Sequence, residues 1–358
     1  MNDERLSAAV VGAGDLGRLV MGVLAQSPKA VLAGISDRDP AVAQQAAQGL
    51  GVPAFTDNRR LLAEVQPRVV FLCCPPQTSA EIIPICAGRG IHVWKRLPLA
   101  RSLSEGAEMV RLMQRADLKL VVGTQRRSAG GYRTAARWKH RLEQIFLAQA
   151  HYLYNWGNTL GWHGDKTLAG GGALIEIGYH AIDLLVWILG LPEEVYGASS
   201  SAGNLRKATD GKRHPIYDTD DTAAAILRFR TGPMATIVTT RSSGPVSEEL
   251  RLHGQGGSIA ATAESCSLRG PDGETLDHFS SEGSAAEPLR RQIDAFLEAV
   301  ITKAECYECS GLENLLNLAV IEAAYLCNRT SQPEHPARLL QTHGLNKEHC
   351  LSLCPAVL

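Results

Sequence analysis

Residues 8–17 read Ala-Ala-Val-Val-Gly-Ala-Gly-Asp-Leu-Gly, a short apolar run that leads directly into three closely spaced glycines. The run has the form of a buried parallel strand, and Arg18–Gln26 after it has helical character. In this strand–turn–helix context the spacing G-x-G-x-x-G is typical of a dinucleotide-binding turn, because the glycines let the backbone turn tightly and approach a pyrophosphate at the helix N-terminus. The cofactor contacts expected in this turn are Gly12, Gly14, Asp15, Leu16 and Gly17.

An acidic residue follows the next predicted strand. Val31–Ser36 is followed by Asp37, twenty residues after Gly17. A carboxylate at this point accepts hydrogen bonds from both ribose hydroxyls of adenosine and repels a 2′-phosphate, so Asp37 favours NAD. The neighbouring Arg38 could instead hold such a phosphate, which keeps NADP as the alternative cofactor.

Helical and strand-like segments alternate through the rest of the first half. The predicted helices are Pro40–Gly49, Ser79–Arg89 and Ser104–Ala116, and the predicted strands are Val69–Cys73, His92–Trp94 and Lys119–Val122. This alternation predicts an α/β fold with a doubly wound parallel sheet. Ligands in such sheets lie at the carboxyl ends of the strands, so the expected cofactor site also includes Cys74, Pro75 and Gln125.

The pattern changes after Arg127. One long helix, Gly172–Leu189, is predicted, and two more near the end of the chain, Pro288–Ile301 and Leu312–Asn328. Between them lie segments of strand character without intervening helices, namely Thr222–Arg230, Ala235–Arg241, Glu248–His253 and Ser258–Ala263. This order predicts an α+β domain with a mainly antiparallel sheet. The polar segment Ser199–Asp221 is expected to be a loop over the cleft or on the surface.

We therefore expect a dinucleotide-binding domain over residues 1–124, an α+β substrate domain over 125–332 and a C-terminal extension over 333–358. Lys and Arg total 36 against 37 Asp and Glu, so the charge points neither to nucleic acid nor to an anionic membrane. Neither a signal peptide nor an apolar run long enough for a bilayer is evident, which predicts a cytoplasmic protein. The nine cysteines are expected to be free thiols. Cys306, Cys309, Cys350 and Cys354 could be proposed as a metal set, but no histidine has zinc-finger spacing, so no metal site is predicted.

Residues 170–183, GGGALIEIGYHAID, carry the strongest candidate for chemistry. Glu176 and His180 lie one helical turn apart on the same face, with Asp183 close by. A carboxylate beside an imidazole is the pairing that general acid–base catalysis uses, so we expect Glu176 to orient His180. The alternative is a buried, hydrogen-bonded histidine with the glycines serving as a linker.

Several blocks, taken in order, resemble the Gfo/Idh/MocA oxidoreductase family. They are AVVGAGDLG, FLCCPPQTSAEI, GRGIHVWKRLPLARS, VVGTQRR, AGGGALIEIGYHAIDLL and VIEAAYLCNRT, and the similarity runs from about Leu6 to Ser331. The resemblance implies an N-terminal Rossmann domain and a C-terminal open-faced sheet, through which the chain would form a homodimer or homotetramer. It also implies hydride transfer between NAD(P) and a secondary hydroxyl or carbonyl of a sugar, cyclitol or sugar derivative. A minority of the family instead run glycosidase chemistry by oxidation, elimination and reduction.

The same resemblance implies that His180 is the catalytic base and that Glu176 stands where the family usually has aspartate. It also exposes a departure, because Arg96 and Leu97 occupy the glutamate and lysine positions of the family's Glu-Lys-Pro motif. In an extended backbone Lys95 points to the same side as Leu97, so Lys95 is the expected replacement cation, the alternative being a solvated lysine. A non-catalytic NAD-binding sensor is a further alternative.

The remaining predictions concern the substrate. Arg96, Arg126 and Arg127 could form a cationic rim suited to a carboxylate or phosphate, unless they are ordinary surface arginines. The segment from Tyr154 to Asp165 is rich in aromatic and polar side chains suited to a sugar ring, although Trp156 could equally be core. The residues expected to bind substrate are Arg126, Trp162, His163 and Tyr179.

Overall fold

The computed structural model describes residues 5–157, 159–201, 217–281, 283, 284, 286–346 and 350. Its N-terminal half contains a six-stranded sheet in the order β3-β2-β1-β4-β5-β6. The strands are β1 (Leu6–Val11), β2 (Ala30–Ser36), β3 (Ala54–Phe55), β4 (Val69–Leu72), β5 (His92–Lys95) and β6 (Leu120–Val122). All neighbouring pairs are parallel, which confirms the predicted doubly wound sheet.

Five helices connect these strands. They are α1 (Asp15–Ala25), α2 (Pro40–Gln48), α3 (Asn58–Val65), α4 (Pro76–Arg89) and α5 (Leu103–Arg115). The side chains of Asp39, Asp57 and Ser102 accept hydrogen bonds from the first backbone N–H groups of α2, α3 and α5, which fixes where these helices begin. The sequence prediction missed β3 and α3, because the strand has two residues and the helix buries only Leu61 and Leu62.

The second half contains an eight-stranded sheet in the order β14-β13-β12-β11-β7-β10-β9-β8. The strands are β7 (Ile145–Asn155), β8 (Glu194–Ser200), β9 (Thr222–Arg228), β10 (Met234–Thr240), β11 (Ser242–Gly254), β12 (Gly257–Ala261), β13 (Ser265–Arg269) and β14 (Thr275–Ser280). Only β7 and β10 pair in parallel, which confirms a mainly antiparallel sheet. The central strand β7 was missed, although its residues alternate between buried and more exposed positions.

Helices cover one face of this sheet and also return to the first sheet. They are α6 (Gly130–Trp138), α7 (Lys166–Ala169), α8 (Ala173–Glu176), α9 (Gly178–Leu189), α10 (Glu287–Ile301), α11 (Gly311–Thr330) and α12 (Pro336–Thr342). The single helix predicted over 172–189 is wrong, since α8 and α9 are separated at Ile177. In α10, Ile293 and Phe296 share a core with Phe71 and Trp94 of the first sheet. A C-terminal helix thus completes the N-terminal unit.

The end of the chain and the polar loop are described in part. Leu340 of α12 is fully buried, and His335 contacts the backbone carbonyl of Glu193 at 2.9 Å. Of the predicted loop Ser199–Asp221, Ser199 and Ser200 belong to β8, and residues 202–216 lie outside the described residues.

The described residues bear on two further expectations, those concerning membranes and metals. Among these residues, no single helix is long and apolar enough to cross a membrane. The segments Lys166–Glu176 and Gly178–Leu189 together have the required length and composition, but they are bent by 55° relative to each other. The described residues also contain no group of three or more His, Cys, Asp or Glu side chains that could hold a metal ion, and Cys354 lies outside them.

Candidate active site

The glycine-rich turn between β1 and α1 has the geometry that a pyrophosphate needs. Gly12 has φ +92°, and a Cβ built there would lie 2.6 Å from the carbonyl oxygen of Cys73. A Cβ on Gly17 would lie 1.9 Å from the carbonyl oxygen of Gly12, so both positions require glycine for close packing. A Cβ on Gly14 would meet nothing within 4 Å. This open space lies at the N-terminus of α1, where backbone N–H groups attract phosphate.

Asp37 is held beside that turn. Its Oδ2 accepts a hydrogen bond from the backbone N–H of Ala13 at 2.8 Å, and its Oδ1 accepts one from Asp39 N–H at 3.0 Å. Each carboxylate oxygen keeps further lone pairs for ribose hydroxyls. Arg38 is exposed next to it. The turn and the carboxylate together fit the adenosine and pyrophosphate parts of NAD.

A cleft of about 200 Å³ lies between the two halves of the molecule. From the first half its walls include Leu16, Trp94, Arg96, Leu97 and Gln125. From the second half they include Tyr154, Trp156, Glu176 and His180. The structure therefore brings the dinucleotide turn, through Leu16, and the predicted base into one cleft. Cys74 lies beneath this surface, buried with its Sγ 3.6 Å from Ser79 Oγ, and Pro75 directly precedes α4.

His180 lies in the first turn of α9 with an unused nitrogen. Its Nδ1 is buried and has no hydrogen-bond partner among the described residues. The ring stacks on Tyr152 with 6.4 Å between centroids. Burial, and then the positive charges of Arg126 and Arg96, hold the pKa of the imidazole well below its usual 6.5. At neutral pH the ring is therefore uncharged and able to accept a proton.

Glu176 has a different partner from the one that the sequence predicts. Both of its carboxylate oxygens lie 2.7 Å from Nδ1 of His163, and the pairing with His180 is wrong. Helical spacing describes only neighbours on the same helix, whereas His163 comes from the 3₁₀ turn Gly161–Gly164 that faces α8. Because an ionised carboxylate can only accept, His163 donates this hydrogen bond.

His163 is enclosed by aromatic rings. It stacks on Trp162 with centroids 3.6 Å apart, and Trp156 meets it edge-on at 4.8 Å. His163 does not itself line the cleft, but it contacts two residues that do, Trp156 and Glu176. Two predicted substrate residues, Trp162 and His163, therefore lie together beside Glu176.

Residues missed in the sequence hold this wall in place. The fully buried Arg241 donates to the backbone carbonyl of His163 at 3.1 Å and to Thr219 Oγ1 at 2.7 Å. Asp220 accepts from the backbone N–H groups of Gly172 at 2.8 Å and Leu174 at 2.9 Å, which anchors the start of α8. These contacts join residues that are 22 to 78 positions apart in the chain, so local sequence patterns carry no signal for them.

Lys95 is turned away from the cleft surface. Its Nζ donates to the backbone carbonyls of Pro98 and of Leu99, the latter at 2.9 Å, and the side chain is fully buried. Burial lowers the pKa of this ammonium to about 7. Leu97, and not Lys95, lines the cleft, so the expected role of Lys95 as a replacement cation has no geometric support.

The three predicted rim arginines have three different environments. Arg126 forms an ion pair with Glu248, and its Nη2 lies 3.3 Å from the hydroxyl of Tyr154. The guanidinium of Arg96 lies over the ring of Trp162, 4.8 Å from its centroid. Arg127 is buried and does not belong to a rim.

Two polar groups on α9 serve the core. Asp183 forms hydrogen bonds of 2.6 and 2.8 Å with the Arg127 guanidinium, and Glu313 binds the same arginine at 2.9 Å. Tyr179 is fully buried, with its hydroxyl 2.9 Å from Oδ1 of Asn314. The expected contact between Tyr179 and substrate therefore has no support in the geometry.

Two family models match this chain. One, described as "Oxidoreductase family, NAD-binding Rossmann fold", matches residues 6–124, and one described as "GFO/IDH/MocA C-terminal domain" matches residues 138–260. The chain belongs to the Gfo/Idh/MocA family of oxidoreductases. The predicted resemblance is thereby confirmed, and so is NAD as the cofactor of the N-terminal domain.

Relatives within this family are named as dehydrogenases of sugars and cyclitols. Levoglucosan dehydrogenase of Pseudarthrobacter phenanthrenivorans is 26% identical over 253 residues, which cover 64% of this chain and 64% of that protein. Myo-inositol 2-dehydrogenase of Thermotoga maritima is 26% identical over 234 residues, covering 65% of this chain and 67% of that protein. The chain thus matches just under two thirds of the levoglucosan dehydrogenase.

Solved structures extend the similarity in fold over nearly the whole chain. A levoglucosan dehydrogenase in complex with NADH and levoglucosan has a TM-score of 0.83 at 21% identity. The match covers 92% of this chain and 99% of that chain. At this identity the likeness shows a shared fold.

Proposed function

We propose that this protein is an NAD-dependent dehydrogenase that oxidises a secondary hydroxyl of a sugar, cyclitol or sugar derivative, or reduces the corresponding carbonyl. One observation carries the proposal: Leu16 of the dinucleotide turn and His180 line the same cleft. A hydride acceptor and a proton acceptor must meet at one carbon–oxygen bond for this reaction, and a shared cleft supplies that meeting point.

The residues proposed to hold NAD come from the first sheet. The turn Gly12–Gly17 would bind the pyrophosphate, Asp37 the adenosine ribose, and Gln125 would contact the part of the cofactor that reaches the cleft. When bound, NAD supplies the acceptor for the hydride that leaves the substrate carbon. The carboxylate of Asp37 would repel a 2′-phosphate on the adenosine ribose. This repulsion supports NAD over NADP as the cofactor.

The proposed proton acceptor is His180. Its low pKa keeps the imidazole uncharged at neutral pH, and the side chain lines the cleft, where it can meet a substrate hydroxyl. The hydroxyl proton would pass to this imidazole as the carbon–oxygen double bond forms. Glu176 would act through His163, which it holds beside Trp156 and Trp162 as a polar and aromatic wall for the sugar.

A panel of sugars, cyclitols, aldonates and uronates, each with NAD and with NADP, tests the function through the absorbance of reduced nicotinamide. We expect turnover with at least one compound and a preference for NAD. His180→Ala should reduce kcat by about 1,000-fold while leaving NAD affinity unchanged, because only the proton transfer is lost. The matched control is His140→Ala, which replaces an exposed histidine that is distant from His180 in the sequence. Tight NAD binding without turnover of any compound would instead indicate a sensor protein.

We also propose that copies of the chain associate through the open face of the second sheet. Tyr196, Ile226, Met234 and Val238 are each at least 40% exposed, and strand register places them on one face. Exposed apolar side chains gathered on one face of a sheet are typical of an interface. Ile226→Asp should shift the protein to monomers in analytical ultracentrifugation, whereas an unchanged mass would contradict this interface.

A further inference from the structure

The cleft contains an arginine that forms no ion pair with an acidic side chain of the described residues. Arg96 follows β5 directly and lines the cleft beside His180. Its Nε is buried without a hydrogen-bond partner, and no ion pair of its guanidinium is found among the described residues. Its one side-chain interaction there is the stacking on Trp162, which leaves the N–H donors of the guanidinium available.

The neighbouring arginines differ in that their charges are paired, although the Nε of Arg126 is also buried without a hydrogen-bond partner. The charge of Arg126 is paired with Glu248, and that of Arg127 with Asp183 and Glu313. The carboxylate of Glu176, also on the cleft wall, is engaged by His163. The contrast between Arg96 and these pairs is informative, because a partly buried guanidinium with unused donors is costly unless a ligand satisfies it.

We propose that Arg96 binds a carboxylate of the substrate, so that the enzyme acts on sugar acids, either uronates or aldonates, in preference to neutral sugars. This inference rests on the proposed dehydrogenase function. A carboxylate matches the planar guanidinium and would form charge-assisted hydrogen bonds with it. A neutral sugar offers only uncharged hydroxyl acceptors, which form weaker hydrogen bonds with the same donors.

Charge balance favours a carboxylate over a phosphate. A carboxylate carries one negative charge, which the single unpaired guanidinium neutralises. A phosphate monoester carries about 1.5 to 2 negative charges at neutral pH and would need a second free cation. Arg126, the other arginine near the cleft, already has its charge partner in Glu248.

The position of Arg96 also suits the chemistry. Arg96 lies close enough to His180 for its charge to contribute to the lowered pKa of that imidazole. A carboxylate bound at Arg96 would offset this charge and make His180 more basic in the complex with substrate. A sugar anchored there would also present its ring hydroxyls to the same cleft.

Equilibrium binding to the protein saturated with NADH tests the inference without turnover. The probes are three matched pairs, namely D-glucose and D-glucuronate, D-galactose and D-galacturonate, and D-mannose and D-mannuronate, with D-gluconate as an aldonate and D-glucose 6-phosphate as the phosphate comparison. We expect at least one acid to bind about 10-fold or more tightly than its neutral partner, since hydrogen bonds to charged groups are the stronger ones. Increasing salt should weaken the binding of the acid and leave the binding of the neutral sugar unchanged.

Arg96→Gln should remove this preference while changing neutral-sugar binding by less than about 3-fold. Arg96→Lys, which keeps the charge but loses the planar fork, should retain part of it. Arg329→Gln, on an exposed arginine at the end of α11, is the control and should leave all affinities unchanged. The salt comparison on the unmodified protein applies even if a variant fails to fold.

Three results would overturn the inference: no acid binds better than its neutral partner, the preference survives Arg96→Gln, or D-glucose 6-phosphate binds most tightly through Arg96. These outcomes are separate from failure of the proposed function. Oxidation of neutral sugars alone would leave the dehydrogenase intact and refute the carboxylate site. Binding of an acid that depends on Arg96, without oxidation of any compound, would support the carboxylate site and refute the dehydrogenase function.

Discussion

The two walls of the cleft differ in how their residues are brought together. On the cofactor side, Gly12, Gly14 and Gly17 lie within six residues of one another, and Asp37 directly follows the adjacent strand. On the substrate side, His163, Glu176 and Arg241 come from three separate elements and meet only in the folded chain. Function that depends on local backbone geometry is therefore readable from spacing, whereas function that depends on side-chain partners is not.

The largest effect, a loss of folding stability, is expected in the core of the substrate side. Asp183 lies on α9 near His180 in sequence, but the structure pairs it with buried Arg127. Asp183→Asn should lower the free energy of unfolding by about 3 to 5 kcal/mol, because the buried guanidinium loses a charge partner. Denaturant unfolding measures this, with Asp165→Asn on the surface as the control. A stable variant with lost turnover would mean that Asp183 acts in the chemistry instead.

The cofactor side allows two glycines of the same motif to be compared. Gly17→Ala should destabilise the turn and weaken NAD binding by about 100-fold, because its Cβ would lie 1.9 Å from a backbone oxygen. Gly14→Ala should leave the melting temperature unchanged, since its Cβ meets nothing, and weaken NAD binding by about 10-fold by occupying space for the cofactor. Equal losses of stability in both variants would refute this division between a packing glycine and a binding glycine.

A smaller effect is expected on the pH dependence of kcat/KM. His180 must be unprotonated to act as base, and its lowered pKa places the acidic limb of the profile below pH 6.5. Besides Arg96, the groups near this imidazole include Arg126, Tyr152 and Glu176 one turn earlier. Arg96→Gln removes one positive charge, so the limb should move to higher pH by less than about one unit. A limb that does not move would show that another group titrates.

The extent of prediction from sequence follows the same division. The parallel arrangement of the first sheet and the presence of the glycine turn follow from hydrophobic runs and motif spacing. The partner of Glu176 does not, because an (i, i+4) rule identifies His180 and says nothing of a histidine from a separate turn. The burial of Lys95 could not be predicted from the sequence either. Strand alternation indicates on which side of the sheet a side chain lies, but it does not identify the backbone carbonyls that accept hydrogen bonds from the ammonium.

The central claim is that His180, and not the histidine held by Glu176, accepts the substrate proton. Rescue by added imidazole tests it most directly, with His180→Ala and His163→Ala measured on the same oxidised substrate. We expect imidazole to restore turnover to His180→Ala in proportion to its concentration and to leave His163→Ala unaffected. Rescue of His163→Ala alone would contradict the account and transfer the role of base to the pair of His163 and Glu176.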